Sequence, residues 1–409
     1  MSVPTGRYAK LLPIASTSPE AATERGTVRR TIFDEDHETF RLFIRDFVQR
    51  EVVPVFAEWE RAGVVPRALY RRLGELGILG FAIPVEHGGA GQHDYVYNVV
   101  LQEEAARAMV TLGTLRTHLD VVLPYFLEHA DEGQRRRWFP GLASGDLYTA
   151  IALTEPDTGS DLAGVRTTAV RDGDHYVLNG AKTFITGGEL AELVIVLART
   201  SHDEADRRRG LTLLVVEDGM PGFRKGRRLD KLGLKVQDTV ELSFTNVRVP
   251  VGNRLGEEGA AFGYLRRNLA QERLAIAVGA VAQAQAALRV TVEHVRTRTV
   301  FGKPLTHFQN TKFELAAVAA QVEAGQALLD RAVTDHVADV LLPADAAMVK
   351  LFCTELQGQV VDRCLQLFGG YGYVTEYPIA RLYADARVSR IYGGTSEVMK
   401  SIISKSLGL

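Results

Sequence analysis

The spacing of apolar residues changes twice along this chain of 409 residues, and that double change restricts the fold more than any single motif. From Asp34 to about Asp146 the spacing is helical. In "HETFRLFIRDFVQREVVPVFAEWERAG", Phe40, Phe43, Ile44 and Phe47 recur on one helix face, with Pro54 and Gly63 as breaks. The stretches "RALYRRLGELGILG", "VYNVVLQEEAARAM" and "DEGQRRRWFPGLAS" extend this to four or five helices. The period then falls to two. "VRTTAVRDGDHYVLNGAKTFITGG" alternates around Asp172-Gly173 and Asn179-Gly180, which predicts consecutive hairpins. "AELVIVLART", "LTLLVVED" and "VELSFTNVRVP" predict three further strands, and from Gly256 helical spacing returns almost to Leu409. The expectation is an α+β protein in three parts: an N-terminal helical domain at 31–148, a middle antiparallel β-domain at 149–251 and a C-terminal four-helix bundle at 252–409, behind a loose tail at 1–30.

Several functions are disfavoured at this level. No strand runs into G-x-G-x-x-G, so a Rossmann dinucleotide site is not expected. The glycine-rich runs "GEEGAAFG" at 256–263 and "GGYGY" at 369–373 follow no strand and read as turns. A net charge of −2 gives no pull toward nucleic acid or an anionic membrane. Cys353 and Cys364 form no C-x-x-C, and the histidines show no metal-ligand spacing, so a cytoplasmic protein without its own metal is expected. No uninterrupted apolar run approaches the roughly 20 residues of a membrane span.

Five stretches carry candidate chemistry. "IALTEPDTGSD" at 151–161 concentrates hydroxyls and amides in one loop, which by itself reads as an ordinary turn. In "KTFITGG" at 182–188, Phe184 and Thr186 are expected on one strand face, a flat ring beside a hydroxyl. In "VRTRTVFGKPLTHFQN", Arg298 is either a solvated helix residue or a phosphate clamp. "RIYGGTSE" at 390–397 puts two glycines before what looks like the start of a helix, where backbone amides are unpaired. Glu272 in "NLAQERLAIAVGA" is the odd residue. It falls within the apolar stripe Leu265, Leu269, Ile276 and Ala280, and no basic residue stands three or four positions away. A carboxylate there is costly unless offset, so it is an acid–base group, half of a tertiary ion pair, or the stripe's edge.

In order, T-E-P-x-x-G-S-D, K-x-F-I-T, R-x-x-F-G-K, L-F-G-G-x-G-Y and I-Y-G-G-T-S-E resemble the acyl-CoA dehydrogenase family from about residue 30 onward. The resemblance implies FAD held between the β-domain and the C-terminal helices. Leu153, Thr154, Gly159 and Ser160 would line flavin and thioester, and Phe184, Ile185 and Thr186 would pack near the isoalloxazine. Arg298, Val300, Gln309, Gln366, Gly369 and Gly370 would grip the diphosphate and adenosine across a subunit contact, with Thr395, Ser396 and Glu397 a further FAD contact. Arg273 would lie near the CoA path, with Ser160, Gly393 and Gly394 on the thioester. A homotetramer and electron-transfer flavoprotein as electron acceptor are implied as well.

The α-proton of an acyl thioester needs a carboxylate base, while negative charge on the carbonyl oxygen needs a donor. Most relatives place the Glu directly after the Tyr of the C-terminal turn; here that position is Gly393. Long-chain and isovaleryl relatives carry it instead on the helix before R-x-x-F-G, where this chain has Glu272. Glu272 is therefore the expected base, with the Gly393 N–H aimed at the thioester oxygen and the FAD ribityl hydroxyl as second donor. Ala270 and Gly187 depart from that subgroup's Pro and Asn, and 112–122 with the Glu272 helix would form the pocket floor. The remaining readings are an acyl group on a carrier protein, an oxidase that uses oxygen directly, and a non-catalytic flavin-binding protein.

Overall fold

In a computed structural model, residues 30–202 and 205–409 are described; the expected tail, Arg30 apart, lies outside them. Six helices come first: α1 (Glu35–Phe47), α2 (Phe56–Ala62), α3 (Arg67–Glu75), α4 (Val96–Arg107), α5 (Leu123–His129) and α6 (Glu132–Ser144). The sequence predicted four or five because α1 and α2 read as one pattern. A wide π-helical turn at Val48–Val52 and then Pro54 divide them, and Gly63 ends α2 in a left-handed cap. Asp34 starts α1 by accepting from the His37 N–H, and the His37 ring answers to the Asp34 N–H. A second π-helical turn at Thr117–Val122 leads into α5 and faces inward.

Eight strands follow: β1 (Thr149–Ala152), β2 (Thr168–Asp172), β3 (His175–Thr186), β4 (Leu193–Arg199), β5 (Leu211–Glu217), β6 (Phe223–Arg228), β7 (Thr239–Pro250) and β8 (Arg254–Leu255). The order across the sheet is β6-β7-β3-β2-β4-β5-β8, with β1 beside β4. Two details differ from expectation. The sheet is antiparallel except that β1 pairs parallel with β4, as does the single couple Thr168–Arg199. The stretch 151–161 reads as a loop from sequence, yet Ile151 and Ala152 belong to β1, since four residues are too few to show a period.

The second hairpin is absent. The Asp172-Gly173 turn closes β2 onto β3, but β3 runs straight through Asn179-Gly180, and its register with β7 slips there. Gly180 has φ 149°, and a Cβ on it would stand 2.5 Å from Thr167 Oγ1 and 2.8 Å from Thr167 Cα. The glycine thus serves a close backbone approach, a role a dipeptide rule cannot separate from a turn. Asn179 Oδ1 accepts instead from the Asn246 N–H on β7, 2.8 Å away.

The chain then enters α7 (Ala261–Thr297), a short β9–β10 ribbon (Thr299–Val300, Lys303–Pro304), α8 (Gln309–Val337), α9 (Pro343–Phe368), α10 (Pro378–Ala386) and α11 (Ser396–Ser406). The 37 residues of α7 extend about 55 Å and pack on α9, α8 and α4. By length and composition α7 could cross a membrane, with a window of mean hydropathy 1.4. Two-thirds of that window is buried inside the protein, so Ala and Val here make a core helix.

Gly180→Ala should force the β3 crossing apart from Thr167 and lower stability by about 1–3 kcal/mol. A thermal melt should show a drop of a few degrees, and an unchanged melting temperature would contradict this account of the bulge.

Candidate active site

Where α7 passes the C-terminal glycine turn, two positions far apart in sequence meet. Gly393 has φ 63° and Gly394 φ 93°, both left-handed. A Cβ on Gly393 would stand 3.4 Å from Glu272 Oε1 and would run into Ile276 Cδ1. The carboxylate of Glu272 therefore borders the space a side chain at 393 would enter, and Ile276 occupies it. Leu265, Ile276 and Ala280 of its stripe are buried, Leu269 partly so.

The turn is tied down. Lys350 of α9 is fully buried, and its Nζ donates to the Gly394 carbonyl at 2.7 Å. Thr395 Oγ1 caps α11 by accepting from the Val398 N–H, and Ser396 Oγ donates to Glu355 Oε1 at 2.6 Å. Burial pushes the Lys350 ammonium down to about 8, helped by Arg273 and opposed by Glu272. Burial holds the Glu272 carboxyl above the ordinary glutamate range, and the charges of Arg116, Arg273 and Lys350 only partly offset that.

Beside Ile276 and Tyr392 lies a cavity of about 90 Å³. Its walls are one face of α4, residues 110–120, the α7 face from Ala275 to Gln283, and Gln357, Asp385 and Ser389 beyond. Asn98 and Gln102 donate to the two oxygens of Asp120 at 2.5 and 2.9 Å, and burial raises that carboxyl to about 7.

The 153–161 loop is fastened to β3. Lys182, buried, donates from Nζ to the Leu153 carbonyl at 3.0 Å and to Glu155 Oε1 at 2.9 Å; the Thr183 N–H donates to the Thr154 carbonyl. Glu155 also accepts from the Arg166 and Thr167 N–H groups. Phe184 and Thr186 do not keep regular alternation on one face. The β3–β7 register slips between Lys182 and Ile185, Phe184 sits at φ 59° and 66% exposed, and Ile185 is buried. Gly159 and Ser160 are exposed, while Leu153 and Thr154 are partly covered.

A separate open cleft of about 570 Å³ gathers Arg298, Val300, Gln366, Gly369 and Gly370. The Arg298 guanidinium lies 5.2 Å from the Tyr371 ring centre, and a Cβ on Gly369 or Gly370 would touch nothing. Gln309 opens α8 exposed and does not line this cleft, and Glu397 is exposed on the first turn of α11.

The acyl-CoA dehydrogenase N-terminal, middle and C-terminal domain profiles match residues 34–146, 150–247 and 259–408. The chain is similar to the long-chain specific acyl-CoA dehydrogenase of Sus scrofa mitochondria, 43% identical over 96% of this chain and 91% of that one. An acyl-CoA dehydrogenase structure from Geobacillus kaustophilus superposes with a TM-score of 0.91 at 42% identity, covering 93% of this chain and all of that one. A glutaryl-CoA dehydrogenase from Mycobacterium smegmatis, solved with FADH2, gives 0.83 at 30% identity over 92% and 95%.

The chain belongs to the acyl-CoA dehydrogenase family. It is an FAD-dependent oxidoreductase that dehydrogenates the CH–CH bond of an acyl-CoA. The residues present fit such a cofactor. The cleft offers a guanidinium and side-chain-free backbone to an anionic, extended group, and Phe184 turns an uncovered ring outward from the bulge. Arg273 is buried next to Glu272, and its Nε has no hydrogen-bond partner among the described residues.

Sequence reasoning missed Lys350, Lys182, Arg116 and Asp120. Each is a charged residue inside an apolar run, "AAMVKLFC", "GAKTFI" and "TLGTLRTHLDVV", which is the signal that singled out Glu272.

Lys182→Met should leave the buried Glu155 carboxylate short of its cation and cost roughly 3 kcal/mol. Lower thermal stability together with reduced flavin content in the purified acyl-CoA dehydrogenase would be the result. A variant as stable and as yellow as the parent would refute this role.

Proposed function

We propose that Glu272 is the base that removes the α-proton of the acyl thioester. The observation that carries this is the approach of its carboxylate to within 3.4 Å of the Cβ position of Gly393, the site where a base on the turn would be rooted. A base must be ionised yet poorly solvated, and Glu272 answers both needs. Burial makes it more basic than a free glutamate, and three neighbouring cations keep the ionised form accessible. The Gly393 N–H, in a turn clamped by Lys350, is the donor for the thioester oxygen as charge develops there. FAD supplies, when bound, the acceptor for the hydride that leaves the β-carbon. The product is the trans-2-enoyl-CoA.

We assign the Arg298 cleft to the diphosphate and adenosine of FAD, and Leu153, Thr154, Gly159, Ser160 and the Phe184–Thr186 bulge to the flavin side. Thr395, Ser396 and Glu397 contribute through the helix start, since the Ser396 hydroxyl is already taken by Glu355. Electrons pass on to electron-transfer flavoprotein. The working form is a homo-oligomer, a tetramer, located in the cytoplasm. Phe301 at 95% exposure, Phe313 at 63% and Tyr373 at 92% leave apolar surface on the C-terminal part for a second copy to cover.

Glu272→Gln should cut turnover by about 10²–10⁴-fold while FAD stays bound, seen as a flavin that no longer bleaches on anaerobic mixing with acyl-CoA. Gly393→Glu added to that variant, with Ile276→Ala for room, should restore part of the bleaching. A fully active Gln variant ends the assignment. The pH profile offers an independent check. The base works only when ionised, so kcat/KM should fall as pH drops through the Glu272 pKa. Because burial raises that pKa, the falling limb should lie above the usual glutamate range.

A further inference from the structure

The cavity beside Ile276, one helical turn along α7 from Glu272, is more polar than a receptacle for a plain hydrocarbon needs to be. Nearly all affinity for an alkyl chain comes from removing apolar surface from water, and polar walls add nothing to it. Here Arg116, Asp120, Asn98, Gln102, Gln283 and Gln357 all face the same space.

Most of these groups are already engaged. Asn98 and Gln102 share Asp120. Gln357 Nε2 donates to Gln283 Oε1 at 2.6 Å, and Ser389 Oγ donates to Gln357 Oε1 at 2.8 Å. Two lining groups are left over. Arg116 Nη1 and Thr111 Oγ1 are buried with no hydrogen-bond partner among the described residues. The Arg116 guanidinium lies 5.3 Å from the centre of the Tyr392 ring, the residue next to Gly393, so it borders the space that the proposed site leaves for the acyl chain. A buried guanidinium N–H without an acceptor is costly, and the acceptor it lacks is one that a ligand can bring.

Resting on the proposed reading of this site as the acyl-CoA dehydrogenase active site, we infer that the enzyme takes acyl groups carrying an oxygen acceptor on the chain beyond the reacting carbons. The acceptor is a carboxylate or a neutral carbonyl or hydroxyl, received by Arg116, with Thr111 lining the same cavity. A plain alkyl chain of equal length leaves Nη1 unpaired and dehydrated, and is selected against for that reason. Discrimination of this kind is strong because a site built to bond an oxygen is left unsatisfied by its absence. The reacting bond and the base are unchanged: Glu272 takes the α-proton and the β-hydride leaves as before.

The test compares the full-length holoenzyme on CoA thioesters of matched length in three arms: saturated alkyl, ω-carboxyl, and ω-hydroxy or keto. The readouts are anaerobic flavin bleaching and kcat/KM, for the parent, Arg116→Leu and Arg116→Lys. Flavin content and melting temperature establish that each variant is folded. At least one oxygenated arm should exceed the alkyl arm by about tenfold or more. Arg116→Leu should collapse that ratio, and Arg116→Lys should retain part of it. Carboxyl or neutral preference identifies which oxygen is meant, and either supports the inference. An alkyl arm equal or superior at every length overturns it, as does a ratio unchanged in Arg116→Leu. The parent's preference decides even if a variant fails to fold. Bleaching by alkyl thioesters alone would sink this inference and leave the dehydrogenase reading standing, whereas no bleaching in any arm would sink both.

Discussion

The bond from Lys350 Nζ to the Gly394 carbonyl is the interaction on which the arrangement of the candidate active site depends. It joins α9 to the turn after α10, and through that turn sets the distance between Gly393 and the flank of α7. Neither partner could do this elsewhere. Lys350 is buried and needs acceptors, and the Gly394 carbonyl, in a left-handed glycine turn outside any ladder, meets no other backbone donor in a turn or loop among the described residues. The Ser396–Glu355 bond adds a second tie between the same elements. A turn held at two points can keep one N–H aimed at a fixed spot, which electrostatic stabilisation of a developing charge requires.

Much of this could be read before any coordinates. The two changes of period separate helical from sheet segments, because periods of 3.6 and 2 arise from backbone geometry alone. Glu272 stood out for the same reason: a charge on an apolar face conflicts with local physics. Lys350, Lys182 and Arg116 carry that same conflict, yet in shorter apolar runs where a helix stripe or strand edge explains a charge equally well. Their partners, Gly394, Glu155 and the ring of Tyr392, lie 44, 27 and 276 residues away. Pairing over such distances follows from tertiary contact, which periodicity does not encode.

The failures at Asn179-Gly180 and at Phe184 share a cause. Both are register slips between β3 and β7, and a slip depends on what the neighbouring strand does. A glycine signals freedom of backbone without saying whether the chain uses it to reverse or to pass close to Thr167. On the proposed assignment, the slip at Phe184 serves the cofactor side. It breaks alternation where one ring must leave the core while Ile185 stays inside it.

The charges around Glu272 link binding to basicity. Desolvation and the cations Arg116, Arg273 and Lys350 act on its carboxyl in opposite directions, with desolvation ahead. Arg116 is shared with Asp120, whose own carboxyl burial has brought to about 7. An acyl oxygen that accepts from Arg116 draws on the same guanidinium field, and a carboxylate there would neutralise most of it. Glu272 would then lose one of the charges that hold its pKa down, just as the thioester displaces water around it. Both changes make the carboxylate a stronger base only once substrate is in place. The group that selects the substrate and the group that takes the proton would thus be coupled through one arginine, and the coupling follows from the sign of the charges.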